Sequence, residues 1–179
     1  MIKVFLVLAI VLTLVFIFKK SAFGSEDKLL GKSAPEFKLK NSYGELVSLK
    51  EFKGEWLLVF FYPKDDTPGC TIETKDFNTL LPKFKKLNCE IYGISKDDLK
   101  SHNKFREKYK VKFNLLADVE KKIIKDYKVW RKKKFMGVEF MGIIRTTFLI
   151  GKKGKIIKIW KNVKVKDHAK EVLDFLENI

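Results

Sequence analysis

The stretch Trp56-Leu57-Leu58-Val59-Phe60-Phe61-Tyr62-Pro63-Lys64-Asp65-Asp66-Thr67-Pro68-Gly69-Cys70-Thr71-Ile72-Glu73 decides how this chain folds. Its first seven residues are a continuous apolar run of strand length, the pattern of a central strand covered on both faces. Pro63 ends the run because it has no N–H to offer a neighbouring strand. Beyond the Pro/Gly loop, Phe77, Leu80, Leu81, Phe84 and Leu87 recur at three- and four-residue spacings and predict a helix over 71–87. Pro82 either kinks that helix or starts a second segment. Cys70 thus stands where a buried strand ends, a loop turns and a helix begins.

Working outward, Phe37–Leu39 and Leu46–Leu49 flank Asn41-Ser42-Tyr43-Gly44 and read as a short hairpin. Glu90–Ser95 reads as a second buried strand, and Asp97-Asp98 opens a helix to about Tyr109. Leu115-Leu116 reads as a short apolar link, and Val119–Tyr127 as a short helix. Ile143–Ile150 and Lys155–Trp160, joined by Gly151-Lys152-Lys153-Gly154, read as a hairpin. A last helix begins near Asp167 and shows Val172, Leu173, Leu176 and Ile179 on one face. This alternation predicts an α/β, thioredoxin-like fold: a mixed central sheet flanked by helices, with an N-terminal hairpin extension.

The chain has 179 residues, is 46% hydrophobic and holds one domain's worth of core, with no sign of a second domain or of disorder. Its net charge of +16 (38 Lys+Arg against 22 Asp+Glu) raises the question of nucleic acid. The lysines are scattered, however, and only Arg131-Lys132-Lys133-Lys134 is dense, so a solvated basic surface is expected and nucleic-acid binding is not. Only three residues, Arg106, Arg131 and Arg145, are arginine, which singles them out for fork-shaped hydrogen bonding. His102 and His168 stand apart from each other and from any cysteine at zinc-ligand spacing. Both are expected at the surface, and no metal, nucleotide or haem site shows.

Val4–Phe18 is a fifteen-residue run broken only by Thr13 and followed by Lys19-Lys20. As a helix it would reach about 22 Å, short of a bilayer core of about 30 Å and at the upper limit of a leader's apolar region. Ala22 and Gly24 suit a cut before Ser25, whereas the two lysines suit an uncleaved anchor. Residues 1–24 are therefore read as signal peptide or membrane anchor, 25–32 as a linker and 33–179 as the folded domain. Either reading exports the domain to a bacterial periplasm or envelope, with 4–18 as a membrane tether if it is kept.

An exported chain with two cysteines invites a disulfide. Cys70 and Cys89 instead flank the 71–87 helix, whose length of about 25 Å far exceeds the roughly 7 Å that a disulfide allows between Cα atoms. At the helix start, free N–H groups and the positive dipole end favour a thiolate over a thiol at Cys70 and make it a better nucleophile. Thr67 can turn its hydroxyl into the same pocket, and Pro63 and Pro68 stiffen the loop without adding donors. The loop alone also fits an inert buried cysteine beside a Pro-Gly turn.

Pro63-x-x-x-Thr67-x-x-Cys70 matches the active-site motif of the peroxiredoxins, and Phe61–Thr71 resembles the peroxiredoxin Q, or bacterioferritin comigratory protein, group. The resemblance runs from Gly31-Lys32-Ser33-Ala34-Pro35-Glu36-Phe37 through Tyr92-Gly93-Ile94-Ser95 to Arg145-Thr146-Thr147-Phe148-Leu149-Ile150. It implies a thiol peroxidase that needs no cofactor, and with the N-terminal run the expectation is antioxidant defence of the envelope. Cys70 would attack a hydroperoxide, Thr67 would hydrogen-bond it, Arg145 would hold the thiolate and the leaving oxygen, and Pro63 would shield the site. A planar guanidinium suits sulfur and oxygen together.

The chain departs from the family where the cycle closes, because Lys75 and Arg106 occupy the positions of the family's second, resolving cysteine. Cys89 reads as a small buried residue, so the expectation is a one-cysteine cycle in which an external thiol, a thioredoxin-like protein or a small thiol, attacks the oxidised sulfur. A disulfide between two chains through Cys89 is the lesser reading, and a monomer is expected. A thiol-disulfide oxidoreductase is disfavoured because Cys70-Thr71-Ile72-Glu73 lacks the second cysteine. The alternative from another class is a non-enzymatic binding or membrane-surface module on the same fold.

Overall fold

The computed structural model describes residues 28–179. The expected leader or anchor over 1–24 lies outside them, and no helix among the described residues is long and apolar enough to cross a membrane. Gly31 and Lys32, expected in a linker, already belong to the domain: Gly31 N–H donates to the Ile156 carbonyl, and Ile156 N–H to that of Lys32.

A seven-stranded mixed sheet organises the domain. In chain order its strands are β1 (Lys38–Asn41), β2 (Leu46–Ser48), β3 (Trp56–Phe61), β4 (Cys89–Ser95), β5 (Asn114–Ala117), β8 (Thr146–Ile150) and β9 (Ile156–Lys161). They lie side by side as β2-β1-β5-β4-β3-β8-β9. β3, β4 and β5 run parallel, and the outer strands are antiparallel. The helices are α1 (Pro68–Lys86), α2 (Leu99–Tyr109), α3 (Lys122–Asp126) and α4 (His168–Glu177). Leu49–Phe52 forms a 3-10 turn fixed by a capping box between Ser48 and Glu51.

The central run works as its composition requires. Leu58, Phe60 and Tyr62 point into one core with Phe77, Phe84, Phe105, Val172 and Leu173, under α1, α2 and α4. Leu57, Val59 and Phe61 point into the other, with Phe37, Ile123, Ile124, Tyr127 and Phe148. A strand buried on both faces has no polar alternation, which is why it reads as seven apolar letters in a row.

Four expectations need correction. Leu115-Leu116 is no link but the middle of β5, recruited because β4 and β1 supply hydrogen bonds on both sides. The arm expected over 143–150 is split, with Ile143 closing β7 (Val138–Ile143), which pairs with β6 (Trp130–Phe135) in a separate two-stranded hairpin. Pro82 starts no second segment, because α1 continues through it as one helix. Finally, both histidines are buried rather than at the surface. Each meets a polar partner from a distant segment, Asp65 for His102 and Thr147 for His168, and such pairings leave no local trace in sequence.

Candidate active site

The loop between β3 and α1 carries the site, and α2 holds it at both ends. Tyr62 O–H donates to Asp65 Oδ1 at 2.7 Å. Asp65 Oδ2 accepts from Ser101 Oγ and from His102 Nδ1, each at 2.8 Å. A carboxylate only accepts, so the imidazole proton sits on Nδ1. Asp65 N–H donates in turn to Asp97 Oδ2 at 2.8 Å. At the far end of α2, Lys108 Nζ and Tyr109 O–H donate to the Asp66 carboxylate at 2.7 and 2.6 Å. Asp66 has φ 54°, a left-handed turn that aspartate tolerates better than most residues.

This bracing delivers Cys70 to the first turn of α1, with Pro68 at the helix start, where its missing N–H costs nothing. Cys70 is buried, and Arg145 Nη2 donates to its sulfur at 3.3 Å. Arg145 arrives from the strand next to β3: Phe61 is in register with Thr146, so the residue before β8 reaches the same sheet end as the loop. A Cβ at Gly69 would stand 3.3 Å from Arg145 Nη2, so the glycine leaves room for the guanidinium.

Glu73 is the site residue that the sequence reading missed. It lies one helical turn after Cys70, fully buried, and pairs with Arg145 Nη1. Burial pushes its carboxyl up to about 7 against the lowering pull of Arg145. Burial works against the Arg145 charge, but Glu73 and Cys70 more than offset it and raise its pKa. The signal was the three-residue spacing of Cys70 and Glu73, which puts both on one helical face. His168 sits nearby with Nε2 2.8 Å from Thr147 Oγ1, and burial, helped by Arg145, lowers it to about 4.

Of the four expected site residues, Cys70 and Arg145 meet directly. Pro63 is half-buried at the start of the loop. Thr67 is the residue before α1, but its hydroxyl donates to the Lys64 carbonyl at 3.0 Å instead of facing the sulfur. Cys89 lies at the other end of the sheet, in register with Trp56 at the start of β3, whereas Cys70 follows the end of that strand. Five residue steps of strand separate those ends by about 16 Å, and both cysteines are free thiols. Burial pushes the Cys89 thiol up to about 12. Arg106 is bound up structurally, donating to the Phe113 carbonyl and to Tyr43 O–H, each at 3.0 Å, and stacking on the Tyr43 ring.

Comparison with known proteins agrees with this geometry. Residues 30–159 match the AhpC/TSA family. Peroxiredoxin Bcp of Bacillus subtilis is 46% identical over 150 residues, 84% of this chain and 96% of that protein. The solved peroxiredoxin Q of Xanthomonas campestris is 40% identical with a TM-score of 0.76, over 79% of this chain and 90% of that one. A solved PrxQ variant of Xylella fastidiosa is 37% identical with a TM-score of 0.79, over 83% and 95%. The expected thioredoxin-like fold holds, and a purely non-enzymatic role loses its ground. The chain belongs to the AhpC/TSA family, among the peroxiredoxins of the Bcp and PrxQ type, which are thiol peroxidases.

Proposed function

We propose that this peroxiredoxin reduces hydrogen peroxide and organic hydroperoxides by a one-cysteine cycle at Cys70. The observation that carries the reading is the Arg145 guanidinium bridging Cys70 Sγ and Glu73 at a helix start. The thiolate attacks the outer oxygen of the hydroperoxide, the O–O bond breaks, and the leaving oxygen takes a proton as alcohol or water. Cys70 is left as sulfenic acid. Arg145 stabilises charge on both atoms, and Thr67 meets the peroxide by rotating its hydroxyl away from Lys64. A relative from Xanthomonas campestris is known for alkyl peroxide reduction activity, which supports organic substrates.

An external thiol then attacks the sulfenic sulfur, releasing water and leaving a mixed disulfide. A second thiol equivalent frees Cys70. One hydroperoxide and two thiols thus become alcohol, water and one disulfide. The burial of Cys89 at the opposite sheet end supports this route over an internal one. The reductant is a thioredoxin-like protein or a small thiol. One chain supplies Cys70, Glu73 and Arg145, in keeping with action as a monomer.

The apolar run at 4–18 supports a place in the bacterial envelope, either released or tethered. Intact mass after one equivalent of peroxide and a sulfenate-trapping dione tests the chemistry. One adduct on Cys70 is expected, and loss of both thiols as a disulfide within the chain would refute the one-cysteine route. Fractionation of cells, with the mature N-terminus sequenced, tests the location.

A further inference from the structure

The β6–β7 hairpin stands outside the main sheet and pairs with none of its strands. It exposes large apolar side chains: Met136 at 87%, Val138 at 65%, Met141 at 49% and Phe140 at 46%. Interleaved with them are Arg131, Lys132, Lys133 and Lys134, four basic residues against the single acid Glu139. Register puts Lys133 opposite Phe140 on one face and Lys132 opposite Met141 on the other, so both faces mix positive charge with apolar surface. Lys132 pairs with Glu139 at 2.5 Å, and Lys133 Nζ donates to the Ile143 carbonyl at 3.3 Å, so the net charge of the hairpin stays positive.

The tip sharpens the point. Met136 and Gly137 form a two-residue turn with φ 47° and 82°. Left-handed conformation at both positions favours asparagine or aspartate followed by glycine. A methionine there is unfavourable for the backbone and for solvation alike, which makes sense if its side chain meets an apolar medium.

We propose that the β6–β7 hairpin docks the domain on an anionic lipid surface, its tip entering the interface and its basic residues meeting the headgroups. Lysine and arginine interleaved with exposed methionine, valine and phenylalanine is the chemistry of an interfacial element. β7 runs through Ile144 into Arg145, so the hairpin leaves the sheet at the end where Cys70 lies. Docking brings that end of the domain to the membrane. The proposal does not depend on peroxidase activity.

Hydrogen exchange on the full chain tests it, read at residues 130–143 so that any insertion of residues 4–18 does not count. Vesicles of equal phosphatidylglycerol and phosphatidylcholine are compared with phosphatidylcholine alone. Protection of 130–143 should rise several-fold only with the anionic vesicles and vanish in about 1 M NaCl, where the Debye length is about 3 Å. Lys134→Gln should weaken the docking about fivefold. Met136→Asn suits the turn, so it should keep or raise the melting temperature while removing most of the protection. Equal protection on both vesicles, or an unchanged response in Met136→Asn, would overturn the proposal. So would protection that needs no lipid and grows with protein concentration, the mark of a second copy of the chain.

Discussion

Arg145 Nη2 lies 3.3 Å from Cys70 Sγ, although the two residues are separated by more than seventy positions, one following β3 and the other preceding its neighbour β8. The other arm of the guanidinium pairs with the buried Glu73, so its orientation is set before any peroxide binds. Preorganised positive charge of this kind lowers a barrier without reorganisation during reaction.

Replacing that arm should be costly. Arg145→Gln should lower kcat/KM for hydroperoxide about a hundredfold or more, the usual loss for a donor at developing negative charge. Arg145→Lys should recover only part, since an ammonium cannot hold Cys70 and Glu73 in one plane. Stopped-flow peroxide consumption checks both.

Thr67→Val should cost about tenfold in the peroxide step, the worth of one hydrogen bond, with folding stability nearly unchanged. Its hydroxyl now meets only the Lys64 carbonyl in an exposed setting. An equal loss of stability in denaturant titration would instead make Thr67 a loop-bracing residue.

Asp65→Asn should destabilise the domain by about 2–3 kcal/mol, because an amide nitrogen would meet a hydroxyl or imidazole donor where a carboxylate oxygen now accepts. Urea unfolding measures this. The peroxide step should also slow, because the loop carrying Cys70 loses its clamp on α2.

Glu73 and His168 should pull stability in opposite directions with pH. The Glu73 pKa is raised to about 7 on folding, so its contribution is full below about 4.5 and is lost as pH rises through 7. The His168 pKa is depressed to about 4, so its contribution is full above about 6.5 and is lost as pH falls through 4. Each effect is on the order of 3 kcal/mol, and together they flatten the profile between them. Glu73→Gln should therefore become more stable relative to the parent as pH rises from 4.5 to 8. His168→Gln should become more stable relative to the parent as pH falls from 6.5 to 4. Urea midpoints across that range check both signs.

How far the sequence carried depends on whether a signal is local. The central strand was legible because burial on both faces leaves seven apolar letters, and the body of α1 because spaced leucines and phenylalanines mark it, although the helix starts at Pro68, inside the expected loop. The pairing of Cys70 with Arg145 was foreshadowed by the motif and the scarcity of arginine. β5 was not, since Asn114–Ala117 is a strand only because two neighbours supply its hydrogen bonds. The burial of His102 and His168 was not, because Asp65 and Thr147 come from elsewhere in the chain. Glu73 was hidden because a carboxylate is buried only against a partner, and Arg145 is far away in sequence.

The central claim, a peroxidase that turns over with Cys70 alone, is tested most directly by hydroperoxide consumption with a small dithiol, comparing the parent with Cys70→Ser and Cys89→Ser. The account predicts that Cys70→Ser abolishes turnover while Cys89→Ser retains the parent rate. Turnover that survives in Cys70→Ser, or collapses in Cys89→Ser while that variant remains folded, would contradict it.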